Sequence, residues 1–143
     1  MSNWNDTIIA EFHDNDGKVG GPFAGAHLLL LTTTGAKSGR PRVAPMMYFT
    51  ESNEEGDSVY VIASKAGAPT NPDWYHNLVA NPEVKVEQAT DSGIVSYDAT
   101  AEVVERAERD RLFGVFSAAN PGFAGYQEKT SRVIPVVALH RAA

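Results

Sequence analysis

The sequence from Leu28 to Thr50 reads LLLLTTTGAKSGRPRVAPMMYFT. Its two ends, Leu28 to Thr34 and Val43 to Thr50, are rich in aliphatic, aromatic and β-branched residues, the composition expected of strands. Gly35 to Pro41, between these segments, contains two glycines and a proline and is typical of a turn. The stretch therefore predicts two consecutive strands joined by a short turn.

The rest of the chain adds further strands and helices. Four more strands are predicted at Ser58 to Ala63, Val84 to Gln88, Gly93 to Val103 and Val133 to Leu139. Helices are predicted for an amphipathic segment within Met1 to Asp16, for Asn71 to Asn81 with Asn71 as N-cap, and for Glu105 to Ser117. Residues 118 to 129 are rich in glycine and aromatic residues, and we expect a mobile segment with a short helix around Tyr126.

Short strands at turn spacing, with helices inserted but no regular strand-helix alternation, indicate a mainly β fold of the α+β class. A small antiparallel barrel is favoured over a doubly wound parallel sheet, because closure leaves no long sheet edge exposed. The length of 143 residues predicts a single domain over 1–143.

The sequence also bears on where the protein works. No segment approaches the roughly 20 apolar residues that span a bilayer, and the acidic N-terminus lacks the basic start and apolar core of a secretory signal. We therefore expect a cytoplasmic protein. Its N-terminal helix is expected to pack on the core, with peripheral membrane contact as the alternative.

Charge is distributed unevenly along the chain. The net charge is −6, but no acidic residue occurs from Gly17 to Thr50, where Lys18, Lys37, Arg40 and Arg42 supply four positive charges. The remainder of the chain therefore carries −10, which is the total less these four. The overall sign disfavours nucleic acids and anionic membranes as partners. The window itself predicts a local surface for a small anion, with a chance gap around a buried strand as the alternative.

Several common chemistries are excluded by what the sequence lacks. Without cysteine there is no thiolate metal site, iron–sulfur cluster, disulfide or cysteine nucleophile. The four histidines are far apart, no Gly-x-Gly-x-x-Gly fingerprint is present, and no Gly-x-Ser-x-Gly motif marks a serine nucleophile. We expect no metal and no Rossmann-type dinucleotide site.

Two loops carry positive signals for a ligand. Lys37, Arg40 and Arg42 flank glycines that let backbone N–H groups approach an anion closely. The segment Ala63 to Gly67 places Lys65 among small residues, ahead of a helix N-terminus that can stabilise negative charge. A solvated hairpin tip and an ordinary strand-to-helix loop are the alternative interpretations.

The predicted helix after the second loop carries a third signal. Its spacing puts Trp74 and Asn77 on one face, where an indole can stack on a planar ring and an amide can orient a carbonyl. A tryptophan that belongs to the core is the alternative.

Taken in order and at their spacing, these segments resemble the deazaflavin-dependent nitroreductase family of coenzyme F-420-dependent quinone and nitro reductases. The resemblance runs from about Leu28 to Leu139 and rests on LLLTTTGAKSGRPRV (29–43), ASKAG (63–67), NPDWYHNLVANP (71–82) and RVIPV (132–136). It implies a split β-barrel, similar to FMN-binding split barrels, that binds coenzyme F-420, a deazaflavin with a phosphate-linked oligoglutamate tail. It also implies hydride transfer from the reduced cofactor to an electron-poor conjugated acceptor such as a quinone, enone, lactone or nitroaromatic.

The resemblance assigns individual residues to the cofactor. It implies contacts by Lys37, Ser38, Arg40, Arg42, Pro45, Met46, Met47, Ala63, Ser64, Lys65, Trp74 and Asn77. In this set the basic residues would bind the phosphate and tail, while the others would line the ring or wall the pocket. Family relatives often carry a basic residue where this chain has Ala36, so we expect either weaker binding of the tail or that Arg40 takes over the contact.

The resemblance places the substrate side of the pocket in the late aromatic segment. Asn120, Phe123 and Tyr126 fall where well-studied relatives have several tyrosines, which predicts a more apolar substrate side. Tyr126 keeps a hydroxyl and is the candidate proton donor or substrate contact, with solvent as the alternative proton source. Residues 120 to 126 are the candidate lid.

Two other functions remain open at this point. One is an FMN-binding split-barrel reductase or oxidase, and the other is a carrier that binds deazaflavin without turnover. Either a monomer or a homodimer is compatible with the sequence.

Overall fold

A computed structural model of the chain describes residues 4–15, 17, 28–53, 56–63, 71–90, 93–119 and 121–141. The strands in these ranges are β1 (Leu28–Thr34), β2 (Pro41–Met47), β3 (Phe49–Asn53), β4 (Gly56–Ile62), β5 (Glu83–Thr90), β6 (Gly93–Val103) and β7 (Val136–Arg141). The helices are α1 (Trp4–Asp14), α2 (Asp73–Ala80), α3 (Arg106–Ala119) and α4 (Pro121–Glu128). All strand pairs are antiparallel, and the strands form one sheet in the order β2-β1-β5-β6-β7-β4-β3.

The sheet curls until its two edges approach each other. β2 and β3 lie at opposite ends of the strand order, yet only Tyr48 separates them in sequence. Because one residue spans no more than about 3.6 Å, the two edges can be this close only if the sheet bends into a barrel. The Tyr48 hydroxyl donates a 2.5 Å hydrogen bond to the Ala89 carbonyl in β5. In the described strands β2 and β3 do not pair, so the barrel is split along this seam, and the predicted fold class is confirmed.

The prediction of one continuous strand from Val43 to Thr50 is wrong. The chain leaves one edge of the sheet at Met47 and enters the other at Phe49, so β2 pairs with β1 and β3 pairs with β4. Residues 44 to 49 are all half-buried, so the burial pattern does not mark the boundary between the two strands. The break is set by the sheet order, because β2 and β3 each pair with the neighbouring strand in sequence and the two hairpins lie at opposite edges of the sheet.

Alternation along β1 defines the two faces of the sheet. Leu29 and Leu31 face the barrel interior, where they meet core side chains from the other strands and from α2. Those core side chains are Val61, Leu78, Val84, Val86, Ala99, Ala101, Val137 and Leu139. Leu28 and Leu30 face outward and pack against Ile8 and Phe12 of α1. The apolar side of α1 thus has the packing role predicted for the N-terminal helix.

The other outer face is covered by α3 and α4. Their side chains pack with those of β4 and β7 in an outer aromatic cluster, which consists of Ile62, Leu112, Phe113, Phe116, Ile134 and Val136 with Phe49, Tyr60, Val104, Phe123 and Tyr126 against it. The segment expected to be mobile is therefore largely helical, since α3 continues to Ala119 and α4 covers Pro121–Glu128. The expectation of a lid finds no support in the described part, because α4 contributes to this cluster.

The start of α2 differs from its prediction. Pro72 is the N-cap, and no side chain caps the helix. Asn71, the predicted N-cap, instead accepts a 2.6 Å hydrogen bond at its Oδ1 from Nη1 of Arg132. The helix consequently begins at Asp73.

The last strand also begins later than predicted, at Val136 instead of Val133. The Ile134 N–H donates to Oε1 of Gln127 at 3.0 Å, and the Ile134 carbonyl accepts from Nε of Arg109 at 2.8 Å. These side-chain partners replace the ladder bonds of a strand, and Pro135 has no N–H to offer. The segment before β7 is therefore a loop bonded to α3 and α4.

Candidate functional site

The turn between β1 and β2 is a compact hairpin turn with its own hydrogen bonds. The Gly35 N–H donates to the Arg40 carbonyl at 2.8 Å, and the Gly39 N–H donates to the Gly35 carbonyl at 2.9 Å. The Arg40 N–H donates to Oγ of Ser38 at 3.2 Å. We call residues 35–42 the basic turn. Ser38, a predicted cofactor contact, uses its oxygen within the turn itself.

Both glycines are required by this shape. Gly39 has a φ of 68°, in the left-handed region where a side chain is strained. A β-carbon at Gly35 would lie 2.4 Å from Oγ of Ser38 and would displace the hydroxyl that accepts from Arg40. The glycines therefore shape the turn, but their N–H groups donate within it, so the predicted approach of these N–H groups to an anion finds no support here.

The cations of the basic turn are exposed and have no acidic partner among the described residues. Lys37, Arg40 and Arg42 are all exposed to solvent. No acidic side chain among the described residues forms an ion pair with any of them. Three like charges on one turn produce a local positive potential, and this potential attracts anions. The surface thus matches the anion site that the acid-free window predicts.

Asn77 of α2 is bonded to the basic turn and to the end of β1. Its Oδ1 accepts from the Ala36 N–H at 3.0 Å, and its Nδ2 donates to Oγ1 of Thr33 at 3.2 Å. The side chain is buried, and both ends of its amide have partners within the protein. Its contribution in this structure is to fix the turn, which differs from the predicted orientation of a ring carbonyl.

Trp74 lies on the same helix and is half-buried. It packs against the interior core of the barrel together with Tyr75. This is the core arrangement that was the alternative to a ring-stacking tryptophan, although part of the side chain remains exposed.

Met46 and Met47 lie on opposite faces of β2. Met46 pairs with Leu29 and packs against the interior core, whereas Met47 pairs with Leu28 and packs beside α1. Successive side chains of a strand alternate between faces, so the two methionine side chains do not share one surface, and contact of both residues with the ring stays a prediction.

Alternation also divides the other predicted contacts on β2. Arg42 pairs with the buried Thr33, on the same side of the strand as Met46. Pro45 pairs with Leu30 and shares the outer side with Met47. Met46 is therefore the methionine that shares a face with a turn cation.

Ala63 follows β4 and is fully buried. Its N–H donates to the Pro135 carbonyl at 3.0 Å, and its carbonyl accepts from Nη1 of Arg132 at 3.2 Å. Ser64 and Lys65, the next predicted contacts, lie outside the described residues, and so does Asn120 on the substrate side.

Phe123 and Tyr126 belong to the outer aromatic cluster. Their rings meet edge to face with centroids 5.8 Å apart, and Phe123 meets Phe49 in the same way at 5.3 Å. Phe49 in turn stacks on Phe116 at 4.7 Å. The predicted substrate residues are thus brought together on α4, packed on α3 and β3, while the predicted tail contacts lie on the turn held by α2.

Sequence reasoning missed Arg132 as a residue of the site. The segment RVIPV supported the family resemblance, but it gave this arginine no role. Its guanidinium contacts both Ala63 and Asn71, and partial burial lowers its pKa. An arginine directly before an apolar segment is the available signal, since such a cation needs acceptors.

The described residues contain no group of three His, Asp or Glu side chains placed to hold a metal ion. No helix among them is both long and apolar enough to cross a bilayer.

Comparison with known proteins identifies the family. Residues 4–141 match the model of the family described as F420H(2)-dependent quinone reductase. The chain belongs to this family. Membership confirms the resemblance seen in the sequence, and it makes the protein an oxidoreductase of an F420H(2)-dependent family.

Individual members agree with this assignment. A Mycobacterium tuberculosis protein named F420H(2)-dependent quinone reductase is 38% identical over 136 residues, which cover 92% of this chain and 86% of that protein. A solved F420-H2 dependent reductase is 40% identical with a TM-score of 0.63, over 79% of this chain and 93% of its own. Another solved structure, described as a domain-swapped dimer, is 38% identical with a TM-score of 0.65 and covers 92% of this chain and 94% of its own.

Proposed function

We propose that this member of the F420H(2)-dependent quinone reductase family binds the phosphate and tail of coenzyme F-420 at the basic turn and reduces a quinone. The observation that carries the placement is the set of three exposed cations that pair with no acid in the described part of the chain, on a turn whose shape two glycines determine. A quinone is the acceptor class, among those the resemblance implied, that the family description names.

The chemistry of the basic turn fits a polyanionic group. Lys37, Arg40 and Arg42 offer ammonium and guanidinium donors, and arginine can form two parallel hydrogen bonds to phosphate or carboxylate. Charge-assisted hydrogen bonds contribute about 1.5–3 kcal/mol each when desolvated and less where water competes. A cofactor with several negative charges therefore gains most from a site where the protein's own carboxylates do not compete.

The ring is proposed to lie along the remaining predicted contacts. Met46 on β2 and Trp74 on α2 pack against the barrel interior. Ala63 directly follows β4, and Ser64 and Lys65 come next in the sequence. Pro45 and Met47 are on the opposite side of β2, so we assign them to packing beside α1 rather than to the ring.

The bound coenzyme would supply the hydride, and the protein would orient the partners, exclude water and provide a proton. Reduction of a quinone to a hydroquinone takes up one hydride and one proton, or no proton if the product leaves as its monoanion. We propose Tyr126 as the donor of a proton to the quinone oxygen, because it carries the hydroxyl of the predicted substrate side and its side chain is only half-buried.

Two features concern assembly. The similar structure described as a domain-swapped dimer supports a homodimer in solution. The apolar residues Ile8 and Phe12 of α1 are buried against the sheet, which favours packing over membrane contact for that face of the helix. Size-exclusion chromatography with light scattering measures the mass of the oligomer directly.

The decisive experiment titrates the purified protein separately with oxidised coenzyme F-420 and with FMN, following fluorescence quenching. We expect saturable binding of coenzyme F-420 and, with the reduced coenzyme, turnover of a soluble naphthoquinone. Binding of FMN alone would establish the flavin-dependent alternative. Tight coenzyme binding without reduction of any quinone would establish a carrier.

A further inference from the structure

Arg132 bridges two points of the chain that the sequence sets well apart. Its Nη1 donates to the Ala63 carbonyl at 3.2 Å and to Oδ1 of Asn71 at 2.6 Å. Ala63 directly follows β4, and Asn71 stands two residues before α2. One guanidinium group therefore fixes the start of α2 relative to the end of β4.

The backbone of Arg132 is itself fixed by a buried network. Its carbonyl accepts from Nε2 of Gln127 at 2.7 Å, and Oε1 of Gln127 accepts from Nη2 of Arg109 at 2.7 Å. Arg109 is 8% exposed, and its Nε donates to the Ile134 carbonyl. Fully bonded buried networks restrict the groups they contain to one arrangement. Arg132 is thus anchored to α3 and α4 independently of its contacts with Ala63 and Asn71.

The cost of this arrangement indicates that it serves placement. Asparagine is among the best helix N-cap residues, yet Oδ1 of Asn71 accepts from Arg132, and α2 has no side-chain cap. Partial burial of a guanidinium also carries a desolvation penalty. A helix optimised only for its own stability would use Asn71 as its N-cap. Here Asn71 instead bonds to Arg132 and so ties the start of the helix to the barrel.

The placement of α2 matters because the helix contacts the basic turn. Asn77 bonds both Ala36 and Thr33, and Nδ2 of Asn81 donates to the Thr34 carbonyl at 3.4 Å. These three hydrogen bonds can form together only if α2 keeps one position along the end of the barrel.

We propose that Arg132 is a positioning residue for the cofactor site, acting through Asn71 and α2 on the turn that binds the anionic tail. This inference rests on the proposed function, because it assumes that the basic turn binds coenzyme F-420.

The first test is the dissociation constant of oxidised coenzyme F-420 for Arg132→Ala. We expect an increase of about tenfold, the size of one well-placed hydrogen bond to a charged group. Arg132→Lys should recover only part of the loss, because an ammonium group lacks the planar fork. Arg106→Ala is the matched control, since it removes the same charge from an exposed site on α3 and should leave binding unchanged.

A double-mutant cycle with Asn77→Ala separates positioning from general destabilisation. If Arg132 acts through α2, its loss should add little once the bond between Asn77 and the turn is gone, so the double variant should bind about as weakly as either single variant. If instead the two losses of affinity multiply, so that the double variant binds about a hundredfold more weakly than the unchanged protein, the effects are independent and the proposal is overturned. Binding is measured at a temperature where thermal unfolding shows every variant to be folded.

Asn71→Ala provides a second route if Arg132→Ala does not fold. It removes one acceptor but leaves the guanidinium and its network, and the same loss and the same coupling to Asn77 are expected. Unchanged binding in Asn71→Ala would overturn the proposal. Replacing Lys37 and Arg42 by alanine keeps the two failures apart, because unchanged binding there would refute the turn as the tail site, whatever Arg132 does.

Discussion

The basic turn and α3 each carry three basic residues, but the two regions use them differently. On α3, Nε of Arg106 lies 3.0 Å from the Asp110 carboxylate, and Nη1 of Arg109 lies 2.9 Å from the same carboxylate. Arg111 contacts Glu51 at 2.7 Å and also contacts Glu108. In the basic turn, none of the described acidic side chains pairs with Lys37, Arg40 or Arg42. Equal counts of cations thus give a neutralised helix face in one place and a positive surface in the other.

The difference follows from the acids around each set. Three and four residues are the spacings at which helix side chains meet, and Glu108 and Asp110 stand at these spacings from Arg111 and Arg106. The basic turn lies within the acid-free stretch from Gly17 to Thr50 and has no acid at a comparable distance in sequence. A count of basic residues therefore predicts an anion site only when the local acids are counted too.

The largest expected effect comes from removing the cations of the turn. Lys37→Ala with Arg42→Ala should raise the dissociation constant of coenzyme F-420 by about a hundredfold, since two charge-assisted contacts are lost. Removing as much charge from α3, with Arg106→Ala and Arg111→Ala, should leave it within about twofold, because those cations are already neutralised. Fluorescence titration of both variants makes the comparison, and equal losses in the two would contradict it.

A smaller effect is expected when the turn is given an acid of its own. Ala36 is exposed in the basic turn, so Ala36→Glu should neutralise a neighbouring cation and raise the dissociation constant by about tenfold. Ala36→Lys should lower it severalfold, since it adds a fourth cation to the turn. The two substitutions must act in opposite directions at low salt, and both effects should shrink at high ionic strength. Effects of the same sign would point to a disturbed turn instead of a changed potential.

Tyr126→Phe tests the proton donor and should leave the turn unaffected. The expected result is a drop in kcat of about tenfold or more with little change in the coenzyme dissociation constant, because general acids contribute at least that much when water cannot substitute. Stopped-flow oxidation of the reduced coenzyme by a naphthoquinone measures this. An unchanged kcat would assign the proton to solvent.

The ion pairs of α3 predict a small loss of stability at acidic pH. A hydrogen bond from Arg111 lowers the pKa of Glu51, and hydrogen bonds from Arg109 and then Arg106 lower the pKa of Asp110. A carboxylate whose pKa is lower in the folded state stabilises the fold above its unfolded pKa, here the ordinary 4.5 and 3.8, and loses that contribution as pH falls through the folded value. Glu51→Gln should therefore show a smaller decrease in Tm between about pH 5 and pH 3 than the unchanged protein. An identical decrease would mean that the exposed pair is fully screened.

Local patterns predicted the parts of this molecule that depend on local chemistry. β1 spans Leu28–Thr34 as predicted, and its turn needs Gly35 and Gly39 as the sequence indicates. The passage from β2 to β3 at Tyr48 depends on the positions of the hairpins β1–β2 and β3–β4 at opposite edges of the sheet, and composition does not indicate those positions.

The candidate site shows the same division. The cations of the turn were predictable from charge, and strand alternation alone could have separated Met46 from Met47. The bonds from Asn77 to Ala36 and from Arg132 to Asn71 join residues 41 and 61 positions apart, respectively. No local periodicity signals contacts of that range, so the supporting residues appear only in the structure.

The most direct test of the central claim compares two ligands on two proteins. Coenzyme F-420 and the same deazaflavin without phosphate and glutamates are titrated against the unchanged protein and against Lys37→Ala with Arg42→Ala. If the basic turn binds the tail, the unchanged protein should prefer the full coenzyme by about a hundredfold, and the variant should bind both ligands with similar affinity. A variant that keeps the full preference would show that the tail is bound elsewhere.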